Sequence, residues 1–205
     1  MRILPGPTRS NQVLAWSPDG RWLVAGGSGV GLTAWEVDAN TPGRRVLSAG
    51  HGGRLFRFCP ATGRLYAAFE TCGFWEWNPD TDAEREHRWP GYYHRFYALA
   101  VSPDGRLLAA SIYRPAGHGH QTEDVGYAIA PDGRMAEAWR RPSDDRWSPE
   151  HSFAFRRGAD ELFGFVAAGA GGPQFVRARA AGGERVGSFP LADAGPAGWT
   201  VAYWA

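Results

Sequence analysis

Short stretches of alternating apolar and polar residues recur along this chain, and each is followed by a turn-forming sequence and a second apolar stretch. The copies read VLAWSPDGRWLVAGG from Val13, LFRFCPATGRLYAAF from Leu55, ALAVSPDGRLLAASI from Ala98 and SFAFRRGADELFGFV from Ser152, and a fifth opens as VAYWA at Val201. Alternation with a period of two is typical of a β-strand with one buried face, and Pro-Asp-Gly is typical of a tight turn. The pattern therefore predicts an all-β chain of short antiparallel strands.

The spacing of the copies predicts how the strands are grouped. Positions equivalent to Ser17 recur at intervals of 42, 43, 54 and 49 residues. The first unit is predicted to form strands at Val13–Trp16, Trp22–Ala25, Leu32–Val37 and Arg45–Ser48. Four short strands in about 40–45 residues is the period of a propeller blade. Because one such sheet cannot bury both faces alone, the units must stack. We expect a β-propeller-like array of four-stranded antiparallel blades.

The number of units bears on ring closure. We interpret residues 1–205 as a single domain with units at about 12–48, 54–89, 97–140 and 151–189, and a partial unit at 200–205. The segment around Ile3 resembles a last strand, so the chain holds about four full blades plus stray terminal strands. Such a set forms a small closed ring, stays an open arc, or is completed by a partner or a second copy. An open arc exposes edge strands, which predicts self-association; a compact monomer whose terminal strands meet is the alternative.

Within these units the sequence resembles the WD-repeat family. The segment GGSGVGLTAWEV from Gly26 is similar to that family's SGSxDGTVRLWDV segment, although Val30 stands where Asp is usual. The residues that carry the resemblance as structural repeat positions are Trp35, Trp77, His51, His94, Asp19 and Asp104. The resemblance implies a non-catalytic protein-interaction scaffold, not an enzyme, with a protein partner of unknown identity.

Composition and charge exclude several function classes. The chain carries 22 basic and 21 acidic residues and a net charge of +1, which gives no electrostatic footprint for nucleic acid or an anionic membrane. It contains no lysine, so neither a Schiff-base lysine nor a phosphate-loop lysine exists. No Gly-x-Ser-x-Gly elbow is present. We therefore expect no cofactor, and the absence of a visible leader or apolar run of about 18 residues predicts a cytoplasmic protein.

Candidate binding residues collect on the face shared by the turns after second strands and the loops before first strands. The partner-binding candidates are Tyr92, Tyr93, His94, Arg95, Arg114, His118 and His120. The insertion Arg114–Asp124 is interpreted as a solvated polar loop rather than a metal site, because no Cys or third His is fixed nearby. The adjacent carboxylates Glu123 and Asp124 are assigned to the same solvated loop.

Two alternative functions remain open. His118 and His120, with His51 or His94 across the axis, would suit a metal-dependent hydrolase or a small-molecule binder. The chain could instead be an inactive fragment of a longer or split propeller.

Overall fold

The computed structural model describes residues 13–27, 31–39, 43–47, 55–69, 73–88, 95–116, 119–142, 153–155, 161–169, 172–179, 182 and 185–190. Within these ranges the chain is all-β, as the alternating pattern predicts. The same ranges contain no helix that is long and apolar enough to cross a membrane. The predicted strands around Ile3 and Val201 lie outside the described residues, and the single-domain assignment of residues 1–205 stays a prediction.

The strands form four sheets of four strands each. Sheet 1 contains β1 (Val13–Trp16), β2 (Trp22–Gly27), β3 (Gly31–Glu36) and β4 (Arg44–Leu47). Sheet 2 contains β5 (Phe56–Phe58), β6 (Leu65–Phe69), β7 (Gly73–Asn78) and β8 (Ala83–Arg88). Sheet 3 contains β9 (Arg95–Val101), β10 (Leu107–Ala116), β11 (Gly119–Ile129) and β12 (Met135–Pro142). Sheet 4 contains β13 (Phe153–Phe155), β14 (Glu161–Gly169), β15 (Gly172–Arg179) and β16 (Arg185–Pro190).

Every sheet is an antiparallel meander in which strands follow one another in chain order. The first strands of consecutive sheets lie side by side: β5 contacts β1, β9 contacts β5, and β13 contacts β9. Each sheet is therefore stacked on the next, and the predicted four-stranded antiparallel sheets are confirmed.

The hydrophobic core lies between sheets rather than inside any one of them. Val24 and Leu32 of sheet 1 pack against Trp75 and Trp77 of sheet 2. On the opposite face of sheet 2, Phe74 packs against residues of sheet 3. A smaller cluster around Trp139 joins sheet 3 to Phe155 of sheet 4. Because successive side chains of a strand point to opposite faces, each middle sheet contributes to two of these cores.

The Ser-Pro-Asp-Gly turns have the same geometry in sheets 1 and 3. The Ser17 hydroxyl donates to Asp19 Oδ1 at 2.5 Å and accepts from the Trp22 amide at 2.8 Å. Ser102 makes the same two contacts, to Asp104 at 2.6 Å and from Leu107 at 2.9 Å. These bonds close the turn and set the start of the second strand. The Ser17 hydrogen bond also lowers the pKa of the Asp19 carboxyl, so the turn favours the ionised form.

Gly20 and Gly105 lie at equivalent turn positions with similar φ, but an added β-carbon would be crowded only at Gly105. A β-carbon at Gly20 (φ 73°) would meet open space, whereas a β-carbon at Gly105 (φ 72°) would lie 2.8 Å from Cys59 Sγ. We expect Gly20→Ala to lower the free energy of unfolding by about 1–2 kcal/mol, since the β-carbon of alanine is strained at this positive φ. Gly105→Ala should cost more, because the buried Cys59 must also move. Urea unfolding measures both; equal losses would contradict the packing part of this prediction.

The insertion Arg114–Asp124 is mostly β-strand rather than a loop, contrary to the expectation from its polar composition. Strands β10 and β11 continue as a ladder from Leu107↔Ala128 to Ala116↔Gly119, so only residues 117–118 of the insertion lie outside the described strands. Glu123 and Asp124 are buried in β11. The loop prediction was wrong because a polar sequence can still satisfy its backbone by antiparallel pairing, and its carboxylates find guanidinium partners on β12.

Candidate functional site

The repeat tryptophans occupy one equivalent register position. Trp35 pairs with Leu23 in sheet 1, and Trp77 pairs with Leu65 in sheet 2. In sheet 3 the same position is held by Tyr127, which pairs with Leu108. The third unit therefore keeps an aromatic residue at a position where a search for Trp finds none. All three aromatic side chains are buried.

Sheet 3 carries a buried charge where the two preceding sheets carry core residues. Counting from the aromatic position, Asp124 occupies the position of Leu32 in sheet 1 and Phe74 in sheet 2. Leu32 and Phe74 are fully buried and face the following sheet, whereas Asp124, only 6% exposed, turns a carboxylate toward sheet 4. Burying a carboxylate costs free energy unless it is paired and hydrogen-bonded. A charge at a position that the two preceding sheets fill with apolar side chains makes Asp124 a candidate for a functional role.

Arg141 and Trp139 of β12 support the Asp124 carboxylate. Arg141 donates from Nη2 and Nε to Asp124 Oδ2 at 3.1 Å and 3.3 Å. The Arg141 guanidinium also lies 5.7 Å from the centre of the Trp139 ring. That ring covers Gly126 so closely that a β-carbon there would clash with the indole. Glycine at position 126 is thus required for Trp139 to lie beside the ion pair.

A serine hydroxyl completes this polar wall. Ser111 lies directly across from Asp124 in the ladder and is fully buried. Its Oγ makes no hydrogen bond to any described residue. A buried hydroxyl of this kind can both donate and accept. Asp124, Arg141 and Ser111 therefore present a carboxylate, a guanidinium and a hydroxyl on the face of sheet 3 that is directed at sheet 4; we call them the sheet 3 polar wall.

Glu123, the residue before Asp124 on β11, points to the opposite face of sheet 3, the face that packs on sheet 2. It is 4% exposed, shares its face with Val125 and Tyr127, and is paired with Arg140. Arg140 also donates to Glu137 at 2.6 Å, and this hydrogen bond raises the pKa of the guanidinium above its ordinary value. Adjacent carboxylates of one strand are thus separated by the sheet and neutralised separately.

A second buried carboxylate cluster lies in sheet 2. Glu76 is 5% exposed; it accepts from Arg64 at 2.6 Å and contacts His87 Nε2 at 3.0 Å. Burial raises the pKa of Glu76, but the hydrogen bonds and charges of His87 and Arg64 outweigh it, so the pKa lies below its usual value. Nearby, Arg85 donates to the Asp132 carbonyl at 2.7 Å and bonds sheet 2 to the last turn of sheet 3. The cluster therefore lies beside a junction between two sheets.

Most of the partner-binding candidates fall where side chains are not described. Tyr92, Tyr93, His94 and His118 lie outside the described residues, as does His51. Arg95 pairs with Tyr113, Arg114 with Gln121 and His120 with Pro115 along the backbone of sheet 3. Their proposed contacts stay predictions.

The polar wall is not among the candidates that the sequence pattern indicates. Ser111 stands in an ordinary apolar strand pattern, and the polar surroundings of Asp124 are typical of a loop. The signal that identifies the wall is a charged residue at a register position that the preceding units fill with Leu32 and Phe74. That signal becomes visible only when the units are aligned on their aromatic position.

Among the residues that the structure describes, no group of three or more His, Cys, Asp or Glu side chains is placed to hold a metal ion. In the same part of the chain Cys59 is buried and is not part of a disulfide. The side chains of His118 and His120, on which the alternative metal proposal rests, are not among those that the structure describes.

Comparisons with known proteins bear on the fold of the chain. No protein-family model matches the chain, and no curated protein sequence matches it. Among solved structures, the periplasmic gluconolactonase PpgL of Pseudomonas aeruginosa is similar, with a TM-score of 0.58 and 20% sequence identity. The match covers 87% of this chain and 53% of that protein, so the chain spans about half the length of its structural neighbour. The fold is propeller-like.

This likeness corrects three predictions. The non-catalytic scaffold and the statement that the chain is not an enzyme are contradicted, because the similar propeller-like structure is that of a gluconolactonase. The cytoplasmic location is contradicted as well, because that protein is periplasmic. The scaffold prediction was wrong because a blade repeat reflects only how the sheets stack. The same stacking occurs in binding proteins and in enzymes.

Proposed function

We propose that this chain belongs to an enzyme-type β-propeller that hydrolyses a small, hydroxyl-rich ester such as a sugar lactone. The observation that carries the proposal is the structural likeness to a gluconolactonase over 87% of the chain. Hydrolysis of a lactone adds water across the ring ester bond, opens the ring to a hydroxy acid and releases a proton near neutral pH. The substrate class is a small neutral molecule rich in hydroxyl groups, which suits a chain with a net charge of +1.

The sheet 3 polar wall is the part of the described chain that we assign to substrate binding. The Asp124 carboxylate accepts hydrogen bonds from substrate hydroxyls, and Arg141 donates to carbonyl or carboxylate oxygens. The Ser111 hydroxyl is buried on the same face and makes no hydrogen bond to a described residue, so a substrate group that entered there would find a donor and acceptor without a partner. A wall of mixed donors and acceptors beside apolar residues is the usual composition of a small-molecule site.

The experiment is a lactone hydrolysis assay at constant pH. Ring opening of glucono-δ-lactone is followed by base uptake, with spontaneous hydrolysis subtracted. The wild-type chain should accelerate opening in proportion to its concentration. Asp124→Asn should lower kcat/KM at least about tenfold, the cost expected from losing one charged hydrogen bond in a site. Asp104→Asn is the matched control, because Asp104 lies in an exposed turn and Asn keeps its acceptor oxygen.

A second variant, Ser111→Ala, tests the polar wall with little expected effect on folding. Ser111→Ala removes a hydroxyl that makes no hydrogen bond to the described residues, so the thermal unfolding midpoint should change little while KM rises. No acceleration by folded wild-type protein would overturn the lactone hydrolase proposal. Full activity of both Asp124→Asn and Ser111→Ala would overturn the assignment of the polar wall.

We further infer that the four sheets are four consecutive blades of one arc and that their repeat is of the WD type. The recurrence of the Ser-Asp turn contacts in sheets 1 and 3 supports this inference, as does the aromatic residue at one register position in three sheets. The contacts between first strands in chain order support the arc.

A further inference from the structure

The face of sheet 3 that is directed at sheet 4 has small side chains beside the polar wall. Aligned on the aromatic position, Ala109 and Gly126 stand where sheet 2 has Tyr66 and Glu76. Ala109 is fully buried, and Ser111 follows it two residues later on β10, so both side chains are on the same face. Strands β10 and β11 therefore contribute less side-chain volume beside the wall than β6 and β7 contribute in sheet 2.

The Ser111 hydroxyl stands at a position that carries no polar side chain in sheets 1 and 2. Gly26 and Ala68 hold the equivalent positions there. Ser111 is fully buried, and its Oγ makes no hydrogen bond to a described residue. A buried hydroxyl without a partner costs free energy. A polar ligand group that pairs with Ser111 would remove this cost.

The Arg141 guanidinium is held against Asp124 from two directions. Its Nε and Nη2 both donate to Asp124 Oδ2, at 3.3 Å and 3.1 Å. The Trp139 ring lies 5.7 Å from the guanidinium and is itself fixed against Gly126. The two charged side chains are mostly buried, with 24% of Arg141 and 9% of Asp124 exposed. A ligand anion would reach Arg141 only by competing with Asp124 for these donors.

The neighbouring arginine, Arg140, does not add positive charge to the wall. It contacts Glu123 and Glu137 on the face of sheet 3 that packs on sheet 2. Among the described side chains at the wall, Arg141 carries the positive charge and Asp124 the negative charge, and the two cancel. An anionic ligand would therefore bring a second negative charge next to a buried carboxylate, where like charges repel strongly.

We propose that the sheet 3 polar wall selects neutral, hydroxyl-rich rings over rings that carry a carboxylate. The inference rests on the proposed function, because it takes the lactone ring as the ligand. Sugar hydroxyls both donate and accept, so one ring can donate to Asp124 and pair with Ser111 while Arg141 keeps its contacts. A carboxylate only accepts, and it must displace Asp124 from Arg141. The hydroxy acid formed by ring opening is therefore held less tightly than the lactone.

Calorimetric titration with a matched pair of sugars tests this proposal. Methyl β-D-glucoside is neutral, and methyl β-D-glucuronide differs from it only by an ionised carboxylate in place of a hydroxymethyl group. Neither compound has a lactone bond to hydrolyse. Near neutral pH the wild-type chain should bind the glucoside at least about tenfold more tightly, because the glucuronide places a second negative charge beside Asp124.

Three variants locate the source of this preference. Asp124→Asn removes the competing charge from Arg141, so the preference for the glucoside should fall at least about tenfold or reverse. Ser111→Ala should weaken both glycosides by a similar factor and leave their ratio unchanged, because the hydroxyl carries no charge. Asp104→Asn is the matched control: the Asp104 side chain is 60% exposed in a turn, and both dissociation constants should stay as in the wild type.

Each outcome decides the proposal. A wild-type chain that binds neither glycoside, or binds the glucuronide as tightly as the glucoside, would overturn it. A preference that survives Asp124→Asn would also overturn it, since the selection would then arise elsewhere. Far-UV circular dichroism identifies a variant that is merely unfolded. In that case Asp124→Leu takes its place, because Leu32 holds the equivalent position in sheet 1.

The titrations and the lactone hydrolysis assay are judged separately. Hydrolysis of the lactone without a preference between the two glycosides would leave the proposed activity in place and overturn only the charge selection. A clear preference for the glucoside without hydrolysis would leave a binding site for neutral sugars and overturn the activity.

Discussion

Trp77→Ala is expected to lower the free energy of unfolding by about 3–5 kcal/mol, the usual loss when a fully buried tryptophan is truncated in a core. Trp77 has no exposed surface and lies between sheets 1 and 2. Its ring meets that of Trp22 edge-on, with centroids 5.3 Å apart and an interplanar angle of 83°. Truncation would remove this contact and leave a cavity that two stacked sheets cannot close without moving.

The measurement is equilibrium unfolding in urea, followed by circular dichroism. Trp77→Phe is the matched variant: it keeps most of the apolar contact and loses the hydrogen bond from Nε1 to Asp82, which is 3.1 Å long. We expect its loss to be clearly smaller than that of the alanine variant. A loss below about 1 kcal/mol for Trp77→Ala would contradict the packing of sheet 1 on sheet 2.

Arg140→Met is expected to cost about 3–5 kcal/mol, because it leaves the buried charge of Glu123 without its guanidinium partner. Glu123 is 4% exposed, and Arg140 joins it to Glu137 on β12. The methionine side chain keeps much of the length and apolar stem of arginine. The loss therefore reports the charge more than the volume.

A double variant gives the decisive comparison for this pair. Arg140→Met combined with Glu123→Leu removes both charges and should recover most of the lost stability, since an apolar pair can replace a buried ion pair at little cost. Arg134→Met is the control: the Arg134 side chain is 83% exposed in its pair with Asp132, and little change is expected. Arg140→Met and Arg134→Met with equal effects would show that Glu123 is not buried as described.

The strands of the repeat were predictable because they depend on local chemistry. Alternation places Val13–Trp16 in a strand, and the Ser17 and Asp19 side chains satisfy the backbone of the turn that follows. These contacts join residues close along the chain, so the sequence alone contains them. The Ser102 turn repeats the arrangement between β9 and β10 for the same reason.

The candidate site was not predictable in the same way. Polar composition around Glu123 and Asp124 indicates a solvated loop, and their guanidinium partners lie 17 residues away on β12. Pairing over that distance depends on the register of the strands, which local composition does not encode. The function prediction failed for a related reason, since repeats that build similar blades occur in proteins that bind and in proteins that catalyse.

The sequence by itself determined the all-β class, the four-stranded unit and its turns, because strand period and turn chemistry act between residues close along the chain. Only the tertiary structure decided which face of each sheet is covered. Leu14 and Phe56 occupy equivalent positions and look alike in sequence, yet Phe56 is buried against a preceding sheet and Leu14 is 65% exposed. Burial depends on which surface is stacked on which, and that property belongs to the assembled sheets rather than to any one repeat.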